Sequence, residues 1–598
     1  MIRAMLFTAQ ILTFTATFTL LAACGGGAPA PAPAPAPTPP DDSGFVPGEF
    51  LPSANFKDMC AVPRSSSNFS DSQGTTLDEN QWLRSISNEI YLWYNEIEDL
   101  NPADYTTPAY FDLLRTNATT PSGAPRDQFH FTFDTDEFIA LAQSGITVGY
   151  GAEFALLRAT PPREIVVAFT EPDSSATSSE VNLQRGARIL EIDGSDAVNG
   201  GTQADVDVLN AGLFPSTAGE THDFLIEDRA TGIVRSVTMT AQETVTDPVQ
   251  NVNVIDTANG PVGYLTFNTH IDTAEDELFN AMSMLETAGV TELVLDIRYN
   301  GGGLLLIANQ LAAMIAGPAA ASGRIFDELQ FNDKHTEFDP VTGAPLQPDL
   351  FMQTTFGRGD SAPNRVLPAL NLNRVFVLSG PRTCSASESI INGLRGIDIE
   401  VVLIGETTCG KPYGFYPLEN CGTTYFTVQF RGANAKDFGD YADGFSPANL
   451  TTTAGVSIPG CAVADDFSKL LGDPEEARLA AALNFMQDGS CPAPSGFGSS
   501  TTFAASSTAS STAAGGLAIG TGPDGKAPAL RMPGSVRKFR ANELDRQKRQ
   551  QTLAELTGSQ RTCGAAQRKH ESLNLPLLQS SRVRTSSGNN HNHGIRSG

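Results

Sequence analysis

From Val262 onward, short apolar strand-like runs alternate with helical runs, and this alternation restricts the chain to a layered α/β sheet more narrowly than any single residue does. Val262 to Phe267 reads as a strand and Ala274 to Ala288 as an amphipathic helix through Leu278, Met282 and Leu285. Glu292 to Ile297 follows as a buried-type strand and Leu304 to Ala316 as an apolar helix. Beyond an insertion, Arg374 to Leu378 is again a strand, Ser387 to Arg395 a helix and Val401 to Ile404 a strand. Sheets built from such units carry their sites at the carboxyl ends of the strands. Three polar motifs fall at those ends.

The first motif is Asp296-Ile297-Arg298-Tyr299-Asn300-Gly301-Gly302-Gly303, between a strand and a helix. Its glycines let the backbone approach a ligand and point N–H groups outward where negative charge is favoured. That suits an oxyanion hole and equally a phosphate; Asp296 and Arg298 read as fixing the turn. The second is Thr383-Cys384-Ser385-Ala386-Ser387-Glu388 at the head of a helix. Ser385 there can be a nucleophile exposed at the sheet edge, or an N-cap that forms a capping box with Glu388. The third is Gly405-Glu406-Thr407-Thr408-Cys409-Gly410-Lys411-Pro412. Lys411 precedes Pro412, Tyr413, Phe415 and Tyr416, and partial burial among them would lower its pKa toward that of a neutral general base. A solvated loop lysine is the alternative.

At 598 residues the chain exceeds the roughly 250–300 at which a single core stops growing, so more than one domain is expected. Aromatic and aliphatic residues at helical spacing (Trp82, Ile86, Ile90, Trp93, Tyr94, then Tyr110, Phe111 and Leu114) mark residues 44–143 as a small helical N-terminal domain. Residues 144–245 switch to strand-like runs: Ala152 to Leu157, Glu164 to Phe169, Arg188 to Ile192, His222 to Glu227 and Val234 to Thr240. Within them, Gly186 to Gly194 resembles a strand of PDZ domains. Gly149-Tyr150-Gly151-Ala152 resembles the PDZ loop that receives a peptide carboxylate, a mode in which the peptide adds as a strand.

Arg3 followed by an apolar run ending in Leu21-Ala22-Ala23-Cys24-Gly25 reads as a signal peptide, residues 1–23. Its end resembles the lipobox of bacterial lipoproteins, which implies lipidation of Cys24. The Ala/Pro-rich stretch through residue 43 is then an extended tether, and Gly25 after the Cys implies the outer membrane, facing the periplasm. Residues 492–598, low in apolar content and basic toward the end, read as a disordered tail; a basic arm for anionic polymers is the alternative. The net charge of -28 argues against a nucleic-acid partner. Eight cysteines without CxxC or Cys/His zinc spacing argue against a metal centre. Cys409 with Cys421, and Cys461 with Cys491, are possible disulfides in an exported chain.

Taken together, the three motifs in this order behind a PDZ-like segment resemble the C-terminal processing (tail-specific) serine peptidases, through about Cys491. The resemblance implies a multidomain α/β protein: a ClpP/crotonase-like peptidase core over residues 246–491, an inserted PDZ-like domain and the helical domain. It implies no cofactor and polypeptide substrates with accessible C-terminal tails. It implies Ser385 as nucleophile, Lys411 as general base, and the N–H groups of Gly302 and Ala386 as oxyanion hole. Some members carry a Gln four residues after the Lys to orient it; Phe415 stands there, leaving the orienting group open. Two alternatives remain: a Ser/His peptidase using His270, and an inactive PDZ-containing peptide-binding scaffold.

Overall fold

The computed structural model describes residues 44–65, 69–450 and 454–494, and the backbone of the pair Arg540–Ala541. The signal peptide, Cys24, its tether and nearly all of the tail lie outside the described residues. Two units divide after Phe45, and everything below concerns the second, Val46–Gly598. Among the described residues no helix is long and apolar enough to cross a membrane.

Six strands form the central sheet in sequential order: β1 (Val249–Thr257), β2 (Gly260–Phe267), β3 (Glu292–Asp296), β4 (Arg374–Ser379), β5 (Glu400–Gly405) and β6 (Gly460–Ala462). β1 is antiparallel to β2 and every later neighbour is parallel. Helices α1 (Ala274–Thr287), α2 (Leu305–Ala316) and α3 (Ala386–Gly396) connect or follow the parallel strands. A sequential order with crossovers of one hand returns every helix to the same face. Accordingly, Leu293, Leu295, Val375, Val377, Val401 and Leu403 pack with these three helices. The alternate residues Val294, Phe376, Leu378, Val402 and Ile404 face α4 (Ala477–Asp488) through Leu479 and Ala482. Both faces are covered, which is why these strands read as continuous apolar runs.

The register levels the strand ends that matter. Asp296 lies opposite Leu378, and Leu378 opposite Ile404. The three motifs therefore leave adjacent strands at one height.

The β-rich domain is a separate antiparallel sheet in the order Val234–Thr240, Thr221–Glu227, Arg188–Ile192, Glu164–Thr170, Ala152–Arg158, with its own core. Its chain enters and leaves side by side, since Ile146–Gly149 pairs antiparallel with Gln242–Val245. It also contains a helix, Gln203–Leu213, capped by a Thr202/Asp205 capping box.

The segment read as a small helical domain does not stand apart. Its first helix, Thr76–Ile90, ends before Trp93 and Tyr94, because beyond Ile90 the chain turns extended and Leu92 N–H donates to Val428 O at 2.8 Å. Phe131–Asp134 pairs with Thr423–Phe426 of the core, Trp82 packs 5.4 Å from Tyr425, and Cys60 is disulfide-bonded to Cys421. The suggested Cys409–Cys421 pair is thus replaced by Cys60–Cys421 and Cys384–Cys409, whereas Cys461–Cys491 is present. A hairpin cysteine bonds to whatever packs over it, which need not be its neighbour in sequence.

Candidate active site

The turn after β3 is built on buried charge. Arg298 donates to Asp296 at 2.9 Å, to Asp465 at 2.8 Å and to Glu476 at 2.8 Å, so all three carboxylates converge on one guanidinium. Tyr299 donates to Asp465 at 2.5 Å and accepts from Arg185 of the β-rich domain at 2.6 Å. Asp465 and Glu476 lie far downstream, and nothing local in the sequence marks them as partners.

Gly302 and Gly303 follow at φ of +100° and +137°. A Cβ on Gly302 would stand 2.7 Å from Cys384 O and 2.8 Å from Ser385 Cβ, so only glycine fits against the Ser385 turn. The Gly302 N–H, expected in an oxyanion hole, donates here to Asn300 Oδ1 at 2.9 Å. Asn300 Oδ1 also lies 3.0 Å from His270 Nδ1. His270 is buried, and that burial lowers its pKa to about 3.

Ser385 sits at φ 59°, ψ -117°, a strained conformation for a residue with a side chain, at the head of α3. Half of a capping box forms, with Ser385 N–H donating to Glu388 at 3.0 Å. The Ser385 hydroxyl itself makes no cap bond and is buried without a hydrogen-bond partner. The turn is pinned onto the first motif: Cys384 N–H and Ser387 Oγ donate to Asn300 O at 3.1 and 3.0 Å, and Thr383 Oγ1 donates to Ile297 O at 2.9 Å. Ala386 is the first residue of α3, so its N–H has no acceptor within the helix.

The third motif is joined to the second at three points. Cys409 N–H donates to Thr383 O at 3.0 Å, Cys409 is disulfide-bonded to Cys384, and Glu388 bridges the two turns. One Glu388 oxygen accepts from both Ser385 N–H (3.0 Å) and Lys411 N–H (2.8 Å); the other accepts from Gly410 N–H (2.8 Å) and Thr408 Oγ1 (2.6 Å). Burial pushes the Glu388 carboxyl above its usual range while these bonds pull it back. In the sequence Glu388 reads only as a capping residue, although Ile391, one turn on, places it on the buried face. Lys411 is fully buried, with Nζ 4.0 Å from the Phe415 ring centroid and 5.0 Å from that of Phe129. Phe129 comes from the N-terminal segment and has no signal in the sequence for this role.

Cys384, Cys409 and Glu388 are close enough to share an ion, but both sulfurs are committed to the disulfide and offer no thiolate. The sequence-derived peptide loop opens the β-rich domain. Tyr150 is buried, donates to Gly212 O at 2.9 Å and packs on Phe224, so its side chain belongs to the domain core. Gly151 has φ +72°, and Ala152 begins the edge strand. Gly149 closes the paired entry strand. Glu153, the residue after Ala152, pairs with Arg382, three positions before Ser385. This ion pair links the edge strand to the nucleophile turn.

Residues 261–419 match the model of peptidase family S41, and that span contains Gly302, Ser385 and Lys411. The chain carries a peptidase family S41 domain. The chain is also similar to a carboxyl-terminal-processing protease of Picosynechococcus sp., 26% identical over 275 residues that make up 43% of this chain and 58% of that protein. The chain thus spans little more than half the length of the curated relative it matches. Among solved structures, an S41 protease from Bacteroides fragilis aligns over 71% of this chain and all of its own at 24% identity with a TM-score of 0.52, a likeness of fold. The photosystem II D1 C-terminal processing protease aligns over 67% of this chain and 98% of its own at 20% identity, with a TM-score of 0.36, too low to bear on the S41 site.

Proposed function

We propose that the S41 domain is a serine peptidase that cleaves polypeptides near their C-terminal tails, with Ser385 as nucleophile and Lys411 as general base. The observation that carries this reading is the shared Glu388 oxygen, which accepts from the backbones of both residues and holds an unengaged hydroxyl and a buried amine on interlocked turns. Ser385 Oγ attacks the scissile carbonyl as Lys411 Nζ takes its proton, and the tetrahedral oxyanion is received at the N-terminus of α3 by Ala386 N–H. Gly302 N–H joins it by exchanging Asn300 Oδ1 for the substrate oxygen. Collapse expels the amine, which leaves with the proton from Lys411, and water then hydrolyses the acyl-enzyme by the same steps.

We read the core as ClpP/crotonase-like and residues 144–245 as a PDZ-like domain that recruits the substrate tail, supported by its antiparallel sheet, its helix and the edge strand tied to Arg382. We further propose a lipid anchor at Cys24 on the outer membrane, facing the periplasm; Cys24→Ser should release the protein into the soluble fraction with peptidase activity unchanged. A substituted protein that stayed on the membrane would overturn the anchor.

Hydrolysis of an unfolded test protein by the wild type and not by Ser385→Ala separates a peptidase from a peptide-binding scaffold. A pH profile then separates the bases, since His270 flanks the glycine turn and is the rival to Lys411. A lysine accepts a proton only as the neutral amine, and its ordinary pKa of about 10.4 is lowered by burial. kcat/KM should therefore rise with pH through the neutral and mildly alkaline range, in the wild type and in His270→Ala alike. With His270 as base, titrating at about 3, the profile would be flat from about pH 5 upward. His270→Ala would then be inactive.

A further inference from the structure

The ring centroid of Phe415 lies 4.0 Å from Lys411 Nζ. Lys411 is carried by the loop of residues 406–412, just beyond the strand Glu400–Gly405. That loop is tied covalently to the nucleophile: Cys384 immediately precedes Ser385, and Cys409 lies two residues before Lys411. Cys384 is fully buried, whereas Cys409 is half-buried and is the more accessible residue of the pair. The sulfurs and a Glu388 oxygen lie within 4.8 Å of one another, so the bond sits against the carboxylate that bridges the two turns.

We propose that the Cys384–Cys409 disulfide positions Lys411 against Ser385, and that its reduction turns the peptidase off. The inference rests on the Ser385/Lys411 reading. A dithiol reductant supplies the two electrons and two protons: its thiolate attacks Cys409 Sγ, Cys384 leaves as thiolate and is protonated, and the second thiol of the reductant releases Cys409 as it closes into a cyclic disulfide. Bonded sulfurs sit about 2.05 Å apart, whereas nonbonded heavy atoms rest at roughly 3.5–4 Å. Opening the bond thus drives the two turns apart by on the order of 1 Å. A displacement of that size between reacting groups can lower the rate by about 10²-fold.

The test measures kcat and KM of the full chain, oxidised, reduced with dithiothreitol in the presence of a chelator, and reoxidised. The chelator matters because two freed thiolates beside Glu388 would hold a divalent cation. Thiol labelling with mass spectrometry reports which disulfides open, and far-UV circular dichroism reports the fold. Reduction is expected to lower kcat by about 10²-fold with KM changed less than threefold, and reoxidation to restore it. Cys384→Ser with Cys409→Ser should resemble the reduced enzyme and ignore the reductant, whereas Cys461→Ser with Cys491→Ser should behave as wild type. A folded Cys384/Cys409 double variant with wild-type kcat would overturn the proposal. So would undiminished kcat in wild type whose Cys384–Cys409 bond is shown to be open, a measurement that stands even if the double variant fails to fold. If the oxidised wild type neither hydrolyses protein nor reacts with a fluorophosphonate at Ser385, the peptidase reading itself fails, a result distinct from a disulfide without effect.

Discussion

Ser385→Ala and Lys411→Met are each expected to lower kcat/KM by about 10⁴-fold or more, with the double variant no worse than either single one. The two groups act as a unit: without the amine the hydroxyl keeps its proton, and without the hydroxyl the amine has nothing to activate. Neither change should unfold the protein. The Ser385 hydroxyl makes no structural hydrogen bond, and alanine keeps the Cβ that the turn already accommodates. Methionine retains an unbranched apolar side chain between Phe129 and Phe415, where the Lys411 stem now packs. Kinetics on an unfolded protein substrate, with thermal unfolding run alongside, check both halves. Substantial turnover by a well-folded Lys411→Met protein would remove Lys411 from the mechanism and return attention to His270.

Glu388→Ala should damage the fold and the site together. The carboxylate accepts from Ser385, Gly410 and Lys411 N–H and from Thr408 Oγ1, all in a buried region. Its removal strands several buried donors, each worth about 1–3 kcal/mol when unpaired. With partial relaxation, a loss of about 3–5 kcal/mol in unfolding free energy is expected. Because the same oxygen holds the Ser385 and Lys411 backbones, fluorophosphonate labelling of Ser385 should slow by at least tenfold under conditions where the variant is still folded. Glu388→Gln is expected to recover only part of either loss, since its NH2 group would face donors where an acceptor is needed. Denaturant titration and labelling rates measure the two effects separately. A stable, rapidly labelled Glu388→Ala protein would show that the bridge is dispensable.

The central strands were legible in the sequence because each is a run of apolar residues covered on both faces, a pattern that depends only on near neighbours. The glycine turn was legible because Gly302 and Gly303 take φ of +100° and +137°, a local backbone conformation that favours glycine. The helix Gln203–Leu213 was missed although Thr202 and Asp205 announce its start, because the surrounding β pattern outweighed a local cap. At Trp93 and Tyr94 the opposite happened: helical spacing continued in the sequence, but pairing of Leu92 with Val428 took the chain out of the helix. Local order along the chain settles which residues carry polar chemistry and that they leave strand ends. Folding in three dimensions is what makes β3, β4 and β5 adjacent and level, brings Cys384 to Cys409 and Cys421 to Cys60, sets Glu388 across two turns, and places Phe129 against Lys411. Each of these contacts joins segments far apart in the chain, where no periodicity links the partners and sheet register and core packing alone select them.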